Sequence, residues 1–192
     1  TGINFDHPSF SDTPSDGFVY SWDAPYLGVC SNPTGSYKNA CNDKLVGAYS
    51  YTDEESASEE PVTPEDSDGH GSHTASTVAG NFVDMSYMGV PVTISGVAPH
   101  AQIISYDVCY APGCNGEDSI AAIQQAILDG VDVINYSISG GEDPYNDGVE
   151  LAFLEAFNND ITVATSAGNA GPDAETVAHR SPWLMSTAAT TH

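Results

Sequence analysis

Through the first third of the chain the apolar positions keep no sustained period. Residues 11–69 are rich in Pro, Gly, Ser and Asn and include a dense acidic stretch from Asp53 to Asp68. One short apolar run, Leu45-Val46-Gly47-Ala48-Tyr49, predicts a strand. The character changes at Gly69. Residues 71–78 are dense in small residues and suit a tightly packed helix, and Ile103-Ile104-Ser105-Tyr106-Asp107-Val108 predicts a buried strand. Asp118 is placed to cap a helix running to Leu128, with Ile120, Ile123 and Ile127 on one face and Gly130 as its stop. A strand follows over 131–136. Asn146 or Asp147 opens a second helix, with Leu151, Leu154 and Phe157 expected to face inward, and 161–165 predicts a further strand. This alternation of strand and helix implies right-handed crossovers and a parallel sheet, the α/β class. Sites in such sheets lie at the carboxyl ends of the strands.

Composition narrows the range of partners. The 192 residues include 27 Asp+Glu and only 3 Lys+Arg, a net charge of −24. Phosphate binding needs a basic face, so this balance argues against nucleic acid and against an anionic membrane surface. It is consistent with a solvated acidic exterior. Hydrophobic residues make up 40%, enough for a packed domain or most of a larger one. No apolar run reaches the ~18 residues of a membrane span. The start, Thr1-Gly2-Ile3-Asn4-Phe5, has neither the methionine nor the basic region of a signal peptide, and is expected to be an internal cut. Four cysteines fall into two close pairs, Cys30 with Cys41 and Cys109 with Cys114. Four cysteines allow three connectivities, and four free thiols are the alternative. The turn-rich intervals favour local pairing, which implies an oxidising compartment. The pairs lack the C-x2-C spacing of a zinc site.

Three segments carry candidate chemistry. In Asp68-Gly69-His70-Gly71-Ser72-His73, the glycines leave His70 approachable at a helix start, where the helix dipole favours the neutral imidazole that a general base needs. His70 and His73 have helical spacing for a metal pair, but no third ligand accompanies them. His73, one turn deeper, is expected to be buried and to serve the fold. In Asn135-Tyr136-Ser137-Ile138-Ser139-Gly140-Gly141 a strand ends in Ser and Gly, leaving backbone groups free to pair with an extended peptide. In Ser166-Ala167-Gly168-Asn169-Ala170-Gly171-Pro172, the Asn169 amide follows a strand and is suited to donate to an oxyanion. Taken singly, each segment has a plain alternative: packing, a strand-to-loop turn, or the turn-forming habit of Asn beside Gly.

In order along the chain, these segments resemble the subtilisin-like serine proteases. Thr1-Gly2-Ile3 is similar to the tail of that family's Asp-Thr-Gly signature, and His70-Gly71-Ser72-His73 to its histidine signature. Gly96-Val97-Ala98-Pro99 and Asp129-Gly130-Val131-Asp132-Val133-Ile134-Asn135 resemble two more. The resemblance implies a three-layer α/β fold with a central parallel sheet, truncated at both ends, residues 1–192 being part of one catalytic domain. It implies His70 as the general base, Asn169 as the oxyanion donor, and Ser137, Ile138, Ser139, Gly140 and Gly168 as the substrate cleft. The catalytic aspartate is expected just before Thr1 and the serine beyond His192. Ala167 to Pro172 with Ser181 to Ala189 resembles the secreted members that carry an inserted protease-associated domain. The expected partners are an extended peptide substrate and the remaining segments of the catalytic domain. No cofactor is expected; calcium has precedent in such proteases, but no Asp-rich loop here has a ligand spacing for it. The rivals are a non-catalytic, peptide-binding subtilase-like fragment and an acidic metal-binding protein using His70 and His73.

Overall fold

The computed structural model describes residues 1–51, 63–110 and 113–190. Much of the acidic stretch that begins at Asp53 lies outside the described residues. The chain divides into two compact units, Thr1–Ala111 and Pro112–His192. Each contains a three-stranded parallel sheet, so the α/β class expected from the sequence holds.

In the first unit the elements are β1 (Leu27–Gly28), β2 (Leu45–Ser50), α1 (His70–Ala79), β3 (Val83–Tyr87), β4 (Val90–Ile94), β5 (Ile103–Asp107) and β6 (Cys109–Tyr110). β2 is the central strand, paired on either side with β1 and β5. Its run of four buried residues explains why the apolar run from Leu45 was legible. β3 and β4 form an antiparallel hairpin of mostly exposed residues, which was not among the elements expected from the sequence. The core gathers Ile3, Phe10 and Leu45, with Phe5, Ala75 and Ile103 packed around them. Beside it Lys44 is completely buried. Its ammonium donates to the carbonyls of Pro99 at 2.7 Å and Ala101 at 2.5 Å, and lies 5.0 Å from the centre of the Tyr20 ring. Desolvation lowers the Lys44 pKa from 10.5 to about 8. Cys30 and Cys41 form a disulfide, and Cys109 and Cys114 are also disulfide-bonded.

The second unit comprises β7 (Gly113–Cys114), α2 (Gly116–Asp129), β8 (Val133–Tyr136), α3 (Gly148–Asn158), β9 (Thr162–Ser166) and β10 (Met185–Thr187). β9 is central, flanked by β8 and β10. Two sequence expectations need correction. The cap of α2 is Asn115, whose side chain accepts from the Glu117 N–H at 3.0 Å; Asp118 lies inside the first turn. Asn115 carries the same acceptor one residue before the helix, which is the geometry a cap requires. Gly130 does end α2, as expected. Asp147 caps α3, but the helix turns a different face inward. Ala152, Phe153 and Ala156 are buried with Ile123, Ile161 and Val163, whereas Leu151 and Phe157 are 43% and 53% exposed. The small alanines let α3 approach its neighbours closely, and the single Phe153 fills the space between them.

Candidate active site

His70 is the first residue of α1 and is exposed. The turn before it is organised by Asp66, whose Oδ1 accepts from the N–H groups of Gly69 at 2.8 Å and Asp68 at 3.2 Å. The other carboxylate oxygen accepts from the Ser72 N–H at 2.7 Å. Asp66 thus serves donors that a helix start leaves unpaired. The Thr1 hydroxyl donates to Asp66 Oδ1 at 2.9 Å and accepts from the Gly71 N–H at 2.7 Å. Ile3 bridges in parallel to Glu65, its N–H 2.9 Å from the Pro64 carbonyl. Residues 1–3 therefore lie against the first turn of α1. The approach is closest at Gly71, where an added Cβ would collide with the Gly2 carbonyl. Burial opposes the charge on Asp66, but the hydrogen bonds from Ser72, Gly69 and Thr1 outweigh it and hold the carboxyl below its usual pKa. Motif reading passed over Asp66; the available signal was an acid just ahead of a helix start. His73 is exposed, contrary to the expectation that it is buried. The α1 face that turns inward carries Ala75 and Ala79 instead.

In the second unit, β8 and β9 are parallel neighbours with Val133 opposite Thr162 and Tyr136 opposite Thr165. Their continuations, 137–140 and 167–169, leave the sheet at the same edge. The Ser166 hydroxyl is 3.4 Å from the Ile138 carbonyl, and Ser139 Oγ and Ala178 close in on Gly168. Ser139, Gly140 and Asn169 are exposed, and Ser137, Ile138 and Gly168 are half-buried. The structure thus brings together the sequence-derived residues Ser137, Ile138, Ser139, Gly140, Gly168 and Asn169, while His70 belongs to the first unit.

Beneath that edge lies a charged group the sequence reading did not assign. His179 and Glu150 are 2% and 0% exposed. His179 Nδ1 is 2.6 Å from Glu150 Oε1, and Nε2 is 2.7 Å from the Ile138 carbonyl. A carbonyl oxygen only accepts, so Nε2 carries a proton; against an ionised Glu150, which also only accepts, Nδ1 carries one too and the ring is an imidazolium. Burial works against that charge, but the hydrogen bonds to Glu150 and Ile138 and the field of Glu150 and Asp147 raise the His179 pKa above its ordinary value. The Ser181 hydroxyl donates to Glu150 Oε2, and the Trp183 indole N–H donates to the Glu150 carbonyl at 2.9 Å. Among the described residues no three His, Cys, Asp or Glu side chains are grouped to hold a metal ion.

Comparison with known proteins places this geometry in a family. The sequence model of the Subtilase family, Peptidase_S8, matches residues 1–191. Three similar proteins, all from Arabidopsis thaliana, are the subtilisin-like proteases SBT2.1, SBT1.4 and SBT4.15. Their identities are 38%, 36% and 39%, over 100%, 100% and 98% of this chain and 25%, 26% and 24% of theirs. The chain therefore spans about a quarter of the length of these relatives. With a match that runs from the Thr1 segment through the His70 helix to the strand before Asn169, the chain belongs to the subtilase family of serine proteases.

Proposed function

We propose that this chain is part of a secreted serine endopeptidase that hydrolyses peptide bonds by acyl transfer. The observation that carries the reading is the shared sheet edge, where the 137–140 segment and Asn169 emerge side by side after adjacent parallel strands. An extended peptide pairing with 137–140 would present its scissile carbonyl near the Asn169 amide, which stabilises the oxyanion of the tetrahedral intermediate. His70, exposed at the start of α1, takes the proton of the attacking serine and returns it to the leaving amine. The 1–3 segment packed on the first turn of α1 supports the expectation that an aspartate preceding Thr1 orients His70. The paired cysteines support an oxidising compartment. No stretch of the 192 residues resembles the family's serine signature. The chain by itself is therefore expected to form no acyl-enzyme and to turn over no peptide.

The test is made in the full-length protein that carries this chain. His70→Ala should abolish turnover while leaving the melting temperature near that of the wild type. Asn169→Ala should keep the fold and lower kcat by about 10²–10³, the loss seen when one subtilisin-type oxyanion donor is removed. A well-folded His70→Ala enzyme with near-normal kcat would show that the base lies elsewhere.

A further inference from the structure

The wall of the proposed cleft does not hold its shape by sheet pairing alone. The 137–140 segment lies beyond the last paired residues of β8, so its inward-facing carbonyls need other donors. Two of them, on alternate residues, are satisfied by one amino acid. His179 Nε2–H donates to the Ile138 carbonyl at 2.7 Å, and its main-chain N–H donates to the Gly140 carbonyl at 2.9 Å. The ring is itself held by Glu150, which is fully buried in α3 and keeps its second oxygen occupied by Ser181. Gly141 completes the arrangement: its φ is +68°, and an added Cβ would collide with Glu150 Oε1 and lie 2.6 Å from His179 Nδ1. The backbone is thus drawn down onto the ion pair at a point where no side chain fits.

We propose that His179, anchored by Glu150, is a positioning residue that fixes the 137–140 edge in the extended form against which a peptide substrate pairs. It touches no reacting atom. Its action falls on the residues of the substrate that lie along the edge, so it sets how strongly the enzyme prefers extended peptides over small substrates. This rests on the reading of 137–140 as the cleft wall. A buried ion pair makes a stiff anchor for this purpose, because losing one partner leaves the other charged and unpaired.

The experiment compares two substrates in the full-length protein: an ester of a single amino acid, and a tetrapeptide amide ending in the same residue. The double variant His179→Phe/Glu150→Gln removes the ring donors and the partner charge together, so no lone buried carboxylate remains. Its kcat/KM for the tetrapeptide, relative to the ester, is expected to fall about tenfold, the scale of one or two lost hydrogen bonds. Turnover of the ester should stay within about twofold. Equal losses on both substrates, or an unchanged ratio, would overturn the assignment. Should the double variant fail to fold, Glu150→Gln alone decides. The ring then becomes neutral and its bond to Ile138 weakens, so the ratio should fall about threefold, and no change in it overturns the proposal. His70→Ala run in parallel separates the two ideas. Activity that survives it refutes the reading of His70 as the base. Activity lost with His70, alongside an unchanged ratio in the His179 and Glu150 variants, refutes the positioning role alone.

Discussion

Lys44 illustrates how one side chain ties stability to pH. Its ammonium is sealed from water and satisfied by two main-chain carbonyls and the Tyr20 ring, yet desolvation still brings its pKa down from 10.5 to about 8. Below pH 8 both the folded and unfolded chains carry this proton, and the cost of burying the charge is felt in full. Between about 8 and 10.5 the unfolded chain keeps a proton that the folded chain has released, so this group makes stability rise with pH. The ceiling on that gain is on the order of 3 kcal/mol. Tyr20, with its pKa raised to about 12 by burial and by the charge of Asp16, stays protonated across the same window. Melting temperatures of the wild type and Lys44→Met, measured from pH 7.5 to 10 (roughly the span of the shift), should therefore diverge in favour of the wild type as pH rises. A difference that stays constant with pH would show that Lys44 does not titrate in the folded protein.

The β3–β4 hairpin turns through Met88 and Gly89, and Met88 sits at φ 50° with 88% of its surface exposed. A methionine in the left-handed region is strained, whereas Asn tolerates it and Asn-Gly is the favoured pair for a two-residue turn. Met88→Asn should accordingly raise stability by about 0.5–1 kcal/mol, read as a higher denaturation midpoint with an unchanged m-value. The same hairpin shows where sequence reading stops. Strand β2 was legible from its continuous apolar run, and β5, β8 and β9 from short segments rich in β-branched residues placed between helices or turn signals. β3 and β4 alternate in sequence, Val83-Asp84-Met85-Ser86-Tyr87 and Val90-Pro91-Val92-Thr93-Ile94, a signal the sequence reading passed over, and the fold leaves Met85, Tyr87, Val90 and Ile94 exposed. In α3 the bulk of Leu151 and Phe157 pointed to one face, while the packed face carries alanines and a glutamate. Glu150 turns inward only because His179, 29 residues away, meets it there. His70 and Asn169 were proposed because each sits in a short local signature, whereas Asp66, which organises the turn before α1, was passed over although it too is local. The Glu150–His179 pair has no local signature and becomes visible only in the folded chain.

Across the whole molecule, 27 acidic residues face three basic ones, and the basic ones are not spread evenly in availability. Lys44 is buried on carbonyls. The Arg180 guanidinium bonds the carbonyls of Val177 at 2.8 Å and Glu175 at 2.7 Å, between the buried neighbours His179 and Ser181. Lys38 and Arg180 are both exposed, but the Arg180 head is held by those two carbonyls, whereas Lys38 lies in a turn inside the loop closed by Cys30 and Cys41. Trypsin cuts after Lys and Arg and needs its target peeled into an extended form. Lys38 is therefore the preferred site in the folded chain, and a cut there leaves both pieces tied by the disulfide. Brief trypsin treatment under native conditions should leave a single band on a non-reducing gel that separates into two on reduction. Early cutting after Arg180 would instead reveal that the segment holding His179 opens readily. The closed loop turns Lys38 into a site where this chain can be nicked without coming apart.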